Sequence, residues 1–154
     1  MIDEDFYRQT YHEVNPDHCV FEKGMLTNQC RCTRNQKLLI AEREAASCTD
    51  KEAKTRCQAF LDTLQQQARF ALKVSSARQK LGHVKAVKVQ IGGLRGLYQA
   101  LHPEEKIPTP VPEVAGMLEE ALRVWDSFDK LPFPKIIPEI GRWEPRRRRP
   151  KRKR

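Results

Sequence analysis

Residues 30–72 read CRCTRNQKLLIAEREAASCTDKEAKTRCQAFLDTLQQQARFAL, and this stretch holds four of the five cysteines in the chain. Its conformation decides the fold. Thr33 followed three residues later by Gln36 has the form of a capping box, and Thr49 with Glu52 repeats it. After the second cap, Cys57, Phe60, Leu61, Leu64, Ala68, Ala71 and Leu72 recur at three- and four-residue spacing, which places them on one helix face. Before it, residues 34–47 contain Leu38, Leu39, Ile40, Ala41, Ala45 and Ala46 with no Gly or Pro. The expectation is an αα-hairpin over 34–72, turning at Ser47, Cys48 and Thr49.

That expectation bears on the cysteines. A helix rising about 1.5 Å per residue would hold Cys32 and Cys48 roughly 20 Å apart, too far to share one metal ion. Cys57 would stand level with the middle of the first helix. The full spacing, C-x10-C-x-C-x15-C-x8-C, nevertheless invites a metal reading. Thiolates are soft, strongly donating ligands that suit zinc or an iron–sulfur cluster. Cys19, Cys30 and Cys32 lie in segments read as loops, where geometry raises no objection, and His18, His12, Cys48 or Cys57 could supply a fourth ligand. The plainer alternative makes all five cysteines small buried hydrophobes, and for Cys48 and Cys57 it is the stronger reading.

Outward from the centre, residues 1–18 carry Phe6, Tyr7 and Tyr11 among acids and end in the turn signal Asn15-Pro16-Asp17-His18, so a short helix before Asn15 is expected. Residues 19–29 read as a short element. On the other side, Val87, Val89 and Ile91 alternate with Lys88 and Gln90, a strand pattern over 86–91 that Gly92 and Gly93 would end. The loop Gly92-Gly93-Leu94-Arg95-Gly96 has small residues suited to cradling a phosphate, but it matches neither G-x-G-x-x-G nor the Walker pattern, and a plain turn is the better reading. Val114, Met117, Leu118, Ala121, Leu122, Trp125 and Phe128 mark a third amphipathic helix over about 112–130. Pro132, Pro134 and Pro138 rule out a long helix after it, so Ile136, Ile137, Ile140 and Trp143 are expected to lie on the body as an extended arm.

Composition bounds the rest. A chain of 154 residues with 39% hydrophobic content suits one mainly helical domain, over 1–141, with a core of its own. The formal charge of +9 is concentrated at one end: the last 13 residues, RWEPRRRRPKRKR, carry nine basic side chains against one Glu. Residues 142–154 are therefore expected to be a disordered polybasic tail. Arg146, Arg147, Arg148, Arg149, Lys151, Arg152, Lys153 and Arg154 can neutralise phosphates or dock on an acidic protein surface.

The N-terminus MIDEDFYRQTYHEV lacks the basic and then apolar pattern of a signal peptide, and no apolar run approaches the roughly 20 residues of a membrane span. A cytoplasmic protein with reduced thiols is expected, or a nuclear one in a eukaryote. The histidines lack H-E-x-x-H spacing and no G-x-S-x-G elbow occurs. The sequence thus favours a non-enzymatic binding or accessory protein with a cysteine-ligated metal and a polycationic tail. The alternative is a nucleic-acid-binding module whose cysteines are only core residues.

Overall fold

In the computed structural model, which describes residues 4–69 and 82–145, two six-residue strands occupy the place expected for the first helix of the hairpin. Strand β1 (Asn35–Ile40) pairs antiparallel with β2 (Arg43–Cys48), so that Asn35 faces Cys48 and Ile40 faces Arg43. The two-residue turn between them is made by Ala41 and Glu42, at φ 50° and 69°. Two successive positive φ values are the mark of a tight hairpin turn whose twist matches that of its strands. Such turns favour Asn and Gly, and an Ala-Glu pair gives no hint of one.

Contacts from distant segments hold the β-hairpin in place. The chain after helix α1 (Glu4–Val14) runs beside β2: His18 bridges Ser47, the Cys19 amide donates to Ala46 O at 2.9 Å, and the Cys48 amide donates to Asp17 O at 2.7 Å. Asn15, itself buried, donates its side-chain amide to the same Ala46 carbonyl. Ala45 and Ala46 are both fully buried, and neighbours in a strand face opposite ways, so both faces of the hairpin are covered here. Helix α1 packs on β1, while α2 (Glu22–Leu26) and α3 (Lys51–Ala68) pack on β2.

Helix α3 carries the face read from the sequence, burying Phe60, Leu61, Leu64 and Ala68. Its cap lies one residue later than expected: Asp50 accepts from the amides of Glu52 and Ala53, while Thr49 donates its hydroxyl to Arg34 O across the hairpin.

The expected strand over 86–91 is helical. Helix α4 (His83–Leu101) runs straight through Gly92 and Gly93 and buries Val89, Ile91, Leu94 and Leu97. The glycines serve a helix contact and make no phosphate loop. A Cβ on Gly92 would lie 2.6 Å from Ile140 Cα, and one on Gly96 would lie 2.6 Å from Ile136 O. Two glycines four residues apart thus let the backbone of α4 touch α6 (Phe133–Arg142), which replaces the expected extended arm. Pro134 sits in the first turn of α6, where no amide is needed, and Pro138 is accommodated inside the ten-residue helix. Between them, α5 (Val114–Trp125) is shorter than the 112–130 expected, ending at Asp126 with φ 74° before a 3-10 turn over Phe128–Lys130. Phe21, Phe60, Leu64, Leu94, Leu118, Ile136 and Ile140 join these elements in one core. Among the described residues, no helix is long and apolar enough to cross a membrane.

Candidate metal centre

Replacing a helix by a hairpin changes where the cysteines go. In a straight helix Cys32 and Cys48 would stand far apart. With the chain folded back at Ala41-Glu42, Asn35 lies opposite Cys48, and the loop carrying Cys32 arrives beside it. Cys19 comes in along β2, and Cys57 comes in from the second turn of α3. Cys19, Cys32, Cys48 and Cys57, from four separate pieces of chain, line one small cavity of about 20 Å³, room for about one water molecule. Val20, Phe21, Met25, Val114 and Ala115 complete an apolar wall, and Arg34 and Lys54 stand among the lining residues.

Each element that delivers a thiol is tied down. The Arg31 amide donates to Val111 O, the Val111 amide to Gln29 O and the Val114 amide to Arg31 O, so the loop over 29–33 is stitched to the start of α5. Glu113, at φ 44°, caps α5 by accepting from Gly116 N and also accepts from Thr33 N at 3.1 Å. The Cys32 thiol donates to the same carboxylate at 3.7 Å. Lys54 reaches Pro16 O, and Arg34 pairs with Asp50 at 3.2 Å.

The thiols sense one another. Burial pushes Cys19 up to about 12, with Cys32 and Cys48 adding to the rise, and a backbone N–H from Phe21 acting against it. Cys57 is likewise pushed up to about 12, by burial first and then by Cys19, Cys32 and Cys48. Cys32 is raised mainly by burial, opposed by the amides of Arg34 and Ala115; the Arg34 amide lies 3.4 Å from its sulfur. Cys48 donates its thiol hydrogen to Asp50 O. Without a compensating cation Cys19, Cys32 and Cys57 stay protonated, whereas a metal ion deprotonates its thiol ligands outright. The amides aimed at Cys19 and Cys32 would then hold thiolates.

The other expected ligands lie elsewhere. Cys30, two residues from Cys32, is 2% exposed: its thiol lies 3.8 Å from Met25 Sδ and fills the space over Gly24, and burial first, then Cys19, Cys32 and Cys57, disfavours its ionisation. His18 and His12 line a separate surface groove with Arg8, Tyr11, Glu22 and Arg43. Burial and Lys54 lower the affinity of His18 for a proton. The basic residues from Arg146 to Arg154 lie outside the described residues. Sequence reasoning missed the joint set of four and the roles of Arg34, Asn35, Lys54 and Glu113. The run Leu38-Leu39-Ile40 carries no strand alternation and no Gly or Asn marks the turn at 41–42, so the sequence held no clear signal of the hairpin.

Among the described residues, no three His, Cys, Asp or Glu side chains are drawn together closely enough to hold a metal ion as they stand. Asn35 lines the four-thiol cavity, and its Oδ1 is shut off from solvent with no hydrogen-bond partner among the described residues. A buried acceptor left unpaired costs about 1–3 kcal/mol, a cost that a single bound water removes.

No family model matches the chain, and no curated protein and no solved structure matches it either.

Proposed function

We propose that this is a non-enzymatic accessory protein that carries a cysteine-ligated metal cofactor on Cys19, Cys32, Cys48 and Cys57. One observation carries the reading: four thiols from four separate segments line a single cavity. Neutral cysteines in a core often act as small buried hydrophobes. Cys30 does behave that way, and the other four are only partly buried. Elemental analysis of protein purified without oxygen tests the reading. Stoichiometric metal is expected in the parent chain and in Cys30→Ala, and none in Cys48→Ser. Protein free of metal, or metal retained by Cys48→Ser, would sink it.

A second component rests on charge alone. The tail beyond Pro145 carries eight basic side chains and no acidic one. It leaves the body next to Trp143, which shares a groove with His83 and Val87 of α4. An anionic macromolecule, nucleic acid before others, is the proposed partner. Deleting residues 145–154 takes the formal charge from +9 to +1 and removes no residue of the core. Folding should be unchanged while binding to duplex DNA collapses. For the whole chain, if about six to eight phosphates are neutralised, log affinity should fall with log salt at a slope of roughly −5 to −7. Equal affinity and slope in the truncated protein would refute the tail as the docking element.

A further inference from the structure

We infer that the groove at the root of the tail is a stacking platform for a base of single-stranded nucleic acid, an inference that rests on the anionic partner proposed for the tail. Trp143 shares this groove, of about 410 Å³, with the apolar side chains of Val87 and Ile91 from α4 and the polar ones of Lys23, Gln29 and His83. Trp143 and Val87 are half-buried, while Lys23 and His83 are exposed. An indole beside aliphatic side chains offers a flat apolar surface, and the polar residues next to it can meet a base edge or a phosphate.

The ring is fixed before anything binds. The Trp143 amide donates to Glu139 O at 2.9 Å, which closes the last turn of α6. At the next residue Glu144 pairs with Lys88 at 2.9 Å, and Lys88 also donates to Gly141 O at 3.3 Å. The backbone on both sides of Trp143 is therefore tied to α4 and α6. A base that stacks there meets an aromatic already in position, so little ordering cost is left to oppose binding.

Charge selects the kind of ligand. No Asp or Glu lines the groove. Glu144 is the one acidic residue in 142–154, and Lys88 already meets its charge. Lys23 stands in the groove, and eight basic side chains follow Pro145 in the sequence. A strand whose phosphates run along the tail thus reaches Trp143 without passing an unmet carboxylate of the groove. Charge alone favours duplex, which carries the denser row of phosphates. In a duplex, however, each base face is covered by its neighbours, whereas a single strand can lay a free base on an aromatic ring. The indole therefore adds affinity for the single strand and none for the duplex.

The test is equilibrium binding of the full chain to a single DNA strand of about 12 nucleotides, a length that spans such a site, and to the duplex of the same sequence. Trp143→Ala should weaken single-strand binding by about 5- to 100-fold, what one stacked base is worth. Duplex binding should be unchanged, and so should the salt slope on either form, because no charge is removed. Trp143→Phe keeps a ring in place and should recover most of the loss, which separates stacking from damage to the fold. In Trp125→Phe, where Trp143 is the sole tryptophan, the single strand should quench the emission. Single-strand affinity unchanged in Trp143→Ala, an equal loss on strand and duplex, or a loss that Trp143→Phe does not recover overturns the groove and leaves the tail as the polyanion site. Binding of neither form by the full chain overturns both readings.

Discussion

The contact between α4 and α6 and the cavity between β2 and α3 solve opposite problems in one small domain. In the first, Gly92 and Gly96 remove every side-chain atom that could keep two helices apart, and backbone rests on backbone. The buried Glu139 beside it is held by Arg95 at 3.4 Å and Arg142 at 3.0 Å, so its charge is met. In the second, four thiols and an unpaired amide oxygen surround a space that the neighbouring apolar side chains leave open. The contrast sets a tight backbone contact beside the small cavity at which a cofactor is proposed.

Three substitutions sharpen or break this contrast. The largest effect is expected from Phe60→Ala, because Phe60 is fully buried between Phe21, which lines the cavity, and Phe128. Chemical denaturation should show a loss of about 3–5 kcal/mol, with both regions failing in one transition. Two separate transitions would mean that the regions are independent units.

A smaller effect, about 1–3 kcal/mol from overpacking, is expected for Gly96→Val. The atoms in the way are the backbone O and Cα of Ile136 and cannot swing aside. Metal content should be unchanged, since the strain lies outside the cavity. Loss of metal together with stability would show that the two regions are coupled more tightly than their packing suggests.

The smallest effect has the most informative sign. Ala115 is buried and lines the cavity, so Ala115→Leu adds apolar volume there. In metal-free protein it should stabilise the fold by about 0.5–2 kcal/mol, as cavity-filling changes do. In the same variant metal uptake should fail. A variant that is more stable and still loads metal would show that the space is only a packing defect.

How far the sequence could be read depended on which forces act locally. The face of α3 was legible because Phe60, Leu61, Leu64 and Ala68 repeat at helical spacing, and the face of α5 was legible for the same reason in Val114, Met117, Leu118 and Ala121. The stretch over 34–47 misled because its apolar residues come in adjacent runs that suit a buried helix as well as a strand covered on both faces. No Gly or Asn marked the turn. The segment over 86–91 misled in the other direction: Val87, Val89 and Ile91 alternate and are β-branched, but the glycines after them belong to a helix contact that only α6 can reveal. Propensity is a weak prior, and tertiary context overruled it at both places.

The site followed from the same error. By itself the sequence determined a mainly helical domain, the apolar faces of α3 and α5, the five cysteines and the concentration of charge at the C-terminal end. These follow from local periodicity and composition, which need no knowledge of distant neighbours. Tertiary structure decided that residues 35–48 form a hairpin, that Cys19, Cys32, Cys48 and Cys57 line one cavity, and that Cys30 packs against Met25. Each outcome turns on bonds between residues far apart in the chain, such as Cys19 to Ala46, Cys48 to Asp17 and Thr33 to Glu113. A side chain at one cysteine cannot report which of these partners will arrive beside it.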